Sequence, residues 1–395
     1  MKTLTIDECF YQIRNGANIK QGVEEGGYPI TRIETIANGR FNRERMGYAG
    51  IIDLGKYESY LLEDGDLLMS HINSIQYLGR TVLYKRQGDE KIIHGMNLLG
   101  LKADKKLILP EYAKYYFSSS PFRKQISKIT KKSVNQASFA VTDLKKVTLE
   151  LPALFEQECI ANTLNKISKV IYKYQQQLQK LDELIKSRFV EMFGNPDINE
   201  KKWNVYKMEQ LCEVGSSKRI YQNDQSLTGI PFLRISDLVN RMDTGSKDCD
   251  LFIPEELFEK LKKQGLVPER GDILLTARGT LGRCYIIQDD DEFYFQDGMI
   301  TWLSKFDEKI TPLYISYLFE MPEFRKQIDS LQAGSTVAYL SISMTKELNV
   351  MVPPLELQNQ FAAFVAQTDK SKFEIQKSLE KTQLLFDSLM QEYFG

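Results

Sequence analysis

The chain has 395 residues, a formal net charge of −1, 42% hydrophobic and 27% charged residues, the balance of a folded globular protein and not of a disordered one. Coating nucleic acid indiscriminately calls for strong basicity, which this composition lacks, and no apolar run approaches the ~18 residues of a membrane helix. The opening segment Met1 to Glu8 meets acids at once and does not read as a signal peptide. The five cysteines (Cys9, Cys159, Cys212, Cys249, Cys284) include no CxxC pair. They point to reduced thiols in a cytoplasm, and against zinc or a disulfide framework.

In chain order, residues 1–152 mix short apolar runs with Gly, Asn and Asp turns, which predicts short strands and a helix or two over 110–128. Residues 153–194 differ. From Ile160 the apolar positions Leu164, Ile167, Ile171, Tyr174, Leu178, Leu181 and Ile185 follow in alternating steps of four and three, an unbroken heptad seam. No Pro or Gly falls between Phe155 and Phe193, so one long helix is expected. Residues 195–353 return to strand-and-turn patterning, with a helical stretch over 312–330. Residues 354–395 carry a second, more polar seam: Phe361, Val365, Thr368, Lys372, Ile375, Leu379, Thr382 and Phe386.

The second half echoes the first. Leu151-Pro152-Ala153-Leu154 answers Val352-Pro353-Pro354-Leu355, with Gln157 and Gln358 just beyond. Phe122-Arg123-Lys124-Gln125-Ile126 recurs unchanged as Phe324-Arg325-Lys326-Gln327-Ile328. Gly65-Asp66-Leu67-Leu68 answers Gly271-Asp272-Ile273-Leu274, and Phe193-Gly194 answers Phe394-Gly395. All four matches keep the same order at an offset of roughly 200 residues, the signature of an internal repeat. The fold expected is α+β: two similar mixed α/β domains and two long antiparallel coiled-coil helices, related by a pseudo-two-fold axis. A helix of this length runs ~60 Å, so a dumbbell is anticipated.

No catalytic constellation stands out. His71 and His94 have no second ligand at metal spacing. Pro196-Asp197 with Glu200-Lys201-Lys202 is too compressed for a nuclease site and reads as a polar linker. Asp289-Asp290-Asp291-Glu292 reads as a solvated acidic loop. There is no phosphate-binding GxxxxGK[ST] loop, no Gly-rich cofactor fingerprint and no Asn/Asp-Pro-Pro-Tyr/Phe sequence. No catalytic residue and no metal site are therefore assigned.

Polar loops with side chains suited to DNA offer an alternative. After the Gly-Asp turn the first half carries Ser70, His71, Asn73 and Ser74, ending at Gly79-Arg80; the second carries Arg278, Thr280 and Arg283. Arg pairs bidentately with guanine and Asn with adenine, while hydroxyls and backbone N–H groups suit phosphates. Further candidates are Arg40, Asn42 and Arg43 in the first half, and Lys218, Arg219, Tyr221 and Arg234 in the second. A third set is Lys132 and Asn135 within 131–136, with Ser335 and Thr336 as counterparts.

The doubled order of these pieces resembles the specificity subunits of type I restriction-modification systems, the HsdS family, over essentially the full chain. Lys202-Trp203-Asn204-Val205-Tyr206 looks like the usual opening of a recognition domain, whereas the first domain opens without a Trp and lacks the Arg278-Gly279-Thr280 form of the loop. The resemblance implies two target-recognition domains (1–152 and 195–353) and two spacer helices (153–194 and 354–395) that together read a bipartite site in double-stranded DNA. It also implies two methyltransferase subunits and, in the full complex, two restriction subunits. S-adenosylmethionine, ATP and Mg²⁺ would be cofactors of those partners, with none in this chain, and the location would be cytoplasmic. Two other readings stay open: a coiled-coil scaffold with two protein-binding globules, and a self-sufficient nuclease or methyltransferase.

Overall fold

The computed structural model describes residues 2–20, 22, 26–133, 136–331 and 338–395. They form two compact units, each containing one globule and parts of both long helices: residues 1–175 with 376–395, and residues 176–375.

The first unit is built on a four-stranded antiparallel sheet in the order Phe10–Asn15, Leu98–Ala103, Leu67–Ser70, Thr81–Leu83. The second has the same order: Glu213–Gly215, Ile300–Ser304, Ile273–Thr276, Cys284–Ile286. The inner strands Leu67–Ser70 and Ile273–Thr276 are buried at every residue, which is why they read as continuous apolar runs and not as alternating ones. A two-stranded ribbon closes each globule, Lys2–Thr5 with Thr148–Leu151 and Asn204–Lys207 with Asn349–Val352.

The repeated Gly-Asp turns are structural devices. Gly65 and Gly271 sit at φ 96° and 88°, left-handed values that are unfavourable for a residue with a Cβ. The following aspartates, Asp66 and Asp272, each accept a hydrogen bond from the backbone N–H three residues back, both at 2.9 Å. The shared Phe-Arg-Lys-Gln-Ile sequence lies on paired short helices, Ser120–Ile129 and Pro322–Leu331. Its Phe and Ile are buried in the globule core. Its glutamine clamps the last strand: Gln125 takes Thr148 N–H and donates to Thr148 O at 2.8 Å, and Gln327 does the same at Asn349 at 3.2 Å.

The long helices span Leu154–Phe193 and Leu355–Phe394. Every residue of the first heptad seam from Ile160 to Ile185, and of the second from Phe361 to Phe386, is buried or half-buried. In the first unit the start of one helix and the end of the other share a core: Ile160, Leu164 and Phe394, with Phe386 packed against it. In the second unit the ends are exchanged, with Ile185, Phe189 and Phe193 against Phe361 and Val365. The helices are antiparallel. The start of each is fixed by one glutamine, bonded in the same way. Gln157 accepts from Leu109 N and donates to Leu107 O and Pro152 O, all at 3.0 Å. Gln358 accepts from Thr311 N at 2.8 Å and donates to Lys309 O and Pro353 O at 2.9 Å.

The units diverge between the first sheet strand and the Gly-Asp turn. The first has short 3₁₀ turns such as Ile33–Ile36 and Gly55–Tyr60. The second has two helices, Ile235–Thr244 and Glu255–Lys263, and two strands, Ile230–Leu233 and Phe252–Ile253, that the later strand Tyr294–Phe295 completes into a three-stranded sheet. Each globule therefore carries its own insertion on a common frame. None of the helices is long and apolar enough to cross a membrane, among the described residues.

Each glutamine lock satisfies one buried and two half-buried backbone groups, and an unsatisfied buried group costs about 1–3 kcal/mol. Gln358→Ala is expected to lower the stability of the second unit by about 2–4 kcal/mol, read by calorimetry. A loss under about 0.5 kcal/mol, the size of an ordinary surface substitution, would show that the lock does not carry this load.

Candidate nucleic-acid interface

The two polar loops after the Gly-Asp turns are built on one hydrogen-bond pattern. Ser70 N donates to Arg80 O at 2.9 Å and Gly79 N to Ser70 O at 2.8 Å; Thr276 N donates to Arg283 O at 3.0 Å and Gly282 N to Thr276 O at 2.9 Å. Gly79 and Gly282 both have left-handed φ, 75° and 73°. Phe139 N donates to His71 O, as Leu340 N does to Ala277 O. The loops 71–80 and 277–283 are thus equivalent in structure as well as in order.

In the first unit the structure joins two candidate sets. Ile72–Asn73 pairs with Ala137–Ser138, which pairs in turn with Lys131–Lys132. Asn73 and Lys132 therefore lie on one small sheet, with Ser74 exposed at its edge. Asn73 donates to Ser70 Oγ at 3.3 Å and its carbonyl accepts from Ser74 N at 2.7 Å. His71 is buried, and its Nδ1 has no partner among the described residues; burial lowers its pKa below the usual imidazole value. Arg80 lies over the Tyr77 ring at 4.5 Å. In the second unit Arg278 is exposed over the Tyr339 ring at 4.9 Å and pairs with that residue's backbone. Thr280 is exposed, and its carbonyl accepts from Thr276 Oγ1. Asn135, Ser335 and Thr336 lie outside the described residues.

Several of the other cations already have partners. Arg43 forms a two-point pair with Glu90 at 2.8 and 2.5 Å and also donates to Lys85 O. The Arg43 guanidinium, helped by Gln87 N–H and the Tyr84 hydroxyl, holds the Glu90 carboxyl down at about 2. Asn42 caps the short turn that carries Arg43. Arg219 pairs with Asp297 at 2.8 Å, Arg234 with Asp237 at 2.9 Å, and Arg283 with Asp243 at 2.6 Å. Lys218 and Tyr221 are exposed, and no ion-pair partner of Lys218 is found among the described residues. Arg40 is exposed and stacks on Tyr172 of the first long helix at 3.8 Å.

The acidic loop is not simply solvated. The Asp291 side chain is buried, bonded to Arg241 at 3.0 Å and to the Tyr285 hydroxyl at 2.9 Å, while Asp290 pairs with Lys247 and Asp289 with Arg270. It anchors the insertion of the second unit. Asp197 pairs with Lys326 at 2.7 Å, so the compressed Asp197–Lys202 stretch is linker. No group of three or more His, Cys, Asp or Glu that could hold a metal occurs among the described residues.

Two cations escape a local sequence reading. Lys114 and Arg123 line a groove of about 510 Å³ in the first unit, together with Arg40, Arg80 and Lys132. The one available signal is a lysine set within the buried run Tyr112, Ala113, Tyr115, Tyr116.

Against this geometry, the family model described as "Type I restriction modification DNA specificity domain" matches residues 2–183 and 200–384. The chain belongs to that family, twice over. A Methanocaldococcus jannaschii chain provisionally named the MjaX type I restriction enzyme specificity subunit is 26% identical over 393 residues, covering 93% of this chain and 88% of that one. The EcoKI specificity subunit of Escherichia coli K12 is 25% identical over 167 residues, covering 42% of this chain and 36% of its own length. Among solved structures, the type I restriction-modification S subunit of M. genitalium superposes with a TM-score of 0.57 at 16% identity, covering all of this chain and 96% of that one. A chain from work on complex assembly and conformational transition of the type I R-M system gives 0.53 at 13%, covering 100% and 97%. At these identities the structural likeness speaks for the fold.

The Glu90 carboxyl titrates well below its ordinary 4.5 in the folded chain. Its contribution to stability is therefore complete above about pH 4.5 and fades as pH falls toward about 2. Glu90→Gln is expected to cost about 1.5–3 kcal/mol at pH 7 and much less near pH 2.5, read as the difference in thermal midpoint from the parent. An equal difference at both values would contradict the assigned role of the pair.

Proposed function

We propose that this chain is the DNA-reading subunit of a type I restriction-modification complex, each globule reading one half of a split target. The observation that carries this is the doubled loop: 71–80 and 277–283 share one backbone hydrogen-bond pattern but differ in side chains. A common frame with divergent polar tips suits two different half-sites, since base edges are read by side chains and phosphates by the frame.

In this reading Arg278, Thr280, Asn73 and Ser74 face base edges or the adjacent backbone. Lys218, Arg40, Arg80 and Lys132 supply positive charge. Arg43, Arg219, Arg234 and Arg283, held by carboxylates, shape the surface and reach DNA only by exchanging partners. The two long helices set the gap between half-sites. Two methyltransferase subunits join one copy of this chain, and two restriction subunits join for cleavage. S-adenosylmethionine, ATP and Mg²⁺ belong to those partners, in the cytoplasm; this chain contributes no chemical step. Adenine methylation by the partner requires the base to leave the stack.

Co-expression of the tagged chain with methyltransferase subunits, followed by mapping of methylated DNA, tests this. The expected result is a methyltransferase at two copies per chain and a methylated motif split by a fixed gap. Arg278→Ala should then weaken discrimination by about 1–3 kcal/mol at one position of one half and leave the other half intact. A chain that captures no methyltransferase and directs no methylation would return the scaffold reading.

A further inference from the structure

The groove of the first unit has an unusual charge balance. It lies between loop 75–81, the helices Pro110–Tyr116 and Ser120–Ile129, and the two long helices, which contribute Ser168, Ile171, Gln383 and Phe386. Five cations line it: Arg40, Arg80, Lys114, Arg123 and Lys132. Among its described lining residues there is no carboxylate. None of the five has an ion-pair partner among the described residues; Lys114 reaches only the Tyr115 hydroxyl at 3.3 Å, and Arg123 the Ser118 carbonyl at 3.4 Å.

The equivalent groove of the second unit is partly neutralised from within. Of its four lining cations, Arg283 pairs with Asp243 and Arg241 with Asp291, while Lys186 and Arg325, the counterpart of Arg123, form no ion pair among the described residues. Ser316 stands where the first unit has Lys114, and Glu320 lines the wall. Arg80 and Lys114 are half-buried while Arg40, Arg123 and Lys132 are exposed; unpaired charge shielded in a concave wall, as on Lys114, is costly unless an anion completes it.

We propose that the first-unit groove is a phosphate site, in which Lys114 and Arg123 hold phosphodiester groups of the DNA beside the half-site read by that unit, and that the second unit lacks its counterpart. The proposal rests on the DNA-reading function above. Lys114 is well suited to the role: flexible, shielded, and presented by a helix locked into the core by Tyr112 and Tyr116. Burial first, then the charge of Arg40, pushes its ammonium down to about 8; Glu111 opposes this shift and Lys85 adds to it. A bound phosphate restores its proton affinity. Binding through this groove is therefore proton-linked, and weakens as pH rises from 7 to 9.

The test is the salt dependence of binding of the full chain to a 30-base-pair duplex of arbitrary sequence. Each phosphate contact contributes about 0.9 to the slope of log K against log salt. The double variant Lys114→Gln with Arg123→Gln should reduce the slope by about 2 and flatten the pH profile between 7 and 9. Lys124→Gln with Lys128→Gln removes the same charge from exposed positions of the helix that carries Arg123, at residues that do not line the groove, and should leave both readouts unchanged. The charge-keeping pair Lys114→Arg with Arg123→Lys should restore the slope, and an unaltered thermal midpoint shows that the variants fold. An unchanged slope in the double variant, with the parent binding normally, overturns the groove and spares the DNA-reading function. A parent that binds no duplex overturns both. Loss of ATP binding in the double variant, with an unchanged duplex slope, assigns the groove to a nucleotide and overturns the proposal.

Discussion

The last turn of each long helix is part of a globule's core, and the placement of the candidate loops depends on that fact. In the first unit Phe394 packs on Tyr112 at 5.3 Å and Phe386 on Tyr115 at 6.1 Å. In the second, Phe193 and Phe189 close on Tyr314 at 5.0 and 5.4 Å and on Phe361 at 5.4 and 5.5 Å. Each aromatic pair adds about 0.5–1.5 kcal/mol beyond area burial, and close-packed cores transmit displacement instead of absorbing it. A loop on either sheet is thereby held at a fixed place relative to the helix segments that run through its own unit.

Polar locks make that placement specific. The Gln157 and Gln358 side chains fix where the chain enters each helix, Trp203 Nε1 donates to Phe193 O at 2.8 Å where the first helix ends, and Gln125 and Gln327 fix the closing strands. All of these are satisfied, so they select one arrangement without leaving an unpaired group behind. The candidate loops are treated differently. Its frame is bonded backbone to backbone, whereas Arg278, Thr280, Ser74 and Lys132 remain exposed. Side chains can change there at little cost to the fold.

The frame was legible in the sequence because it is periodic or repeated. The heptad seams, the Gly-Asp turns and the doubled Phe-Arg-Lys-Gln-Ile were read at their true places, and the loop equivalence follows from them. Partnerships across the chain were not legible. Arg43 meets Glu90, Arg283 meets Asp243 and Asp291 meets Arg241 through tertiary contacts that no local period encodes. These pairs separate exposed candidates such as Arg278 from cations already engaged. The groove at Lys114 was hidden for the same reason: a lysine on a buried helix face reads as core until the opposite wall is known. The insertions that distinguish the units, 216–268 against its shorter counterpart, carry no repeat signal at all.

Whether two structurally equivalent units read separate half-sites at a distance set by the helix pair can be measured with a longer ruler. One heptad is inserted after Tyr174 and a matching heptad after Ile375, keeping both seams in phase, and the methylated motif of the assembled complex is mapped. Seven residues lengthen a helix by about 10 Å, about three base pairs of duplex at 3.4 Å each. A gap longer by that amount between two unchanged half-sites is the predicted result. Altered half-sites at the original gap would contradict it.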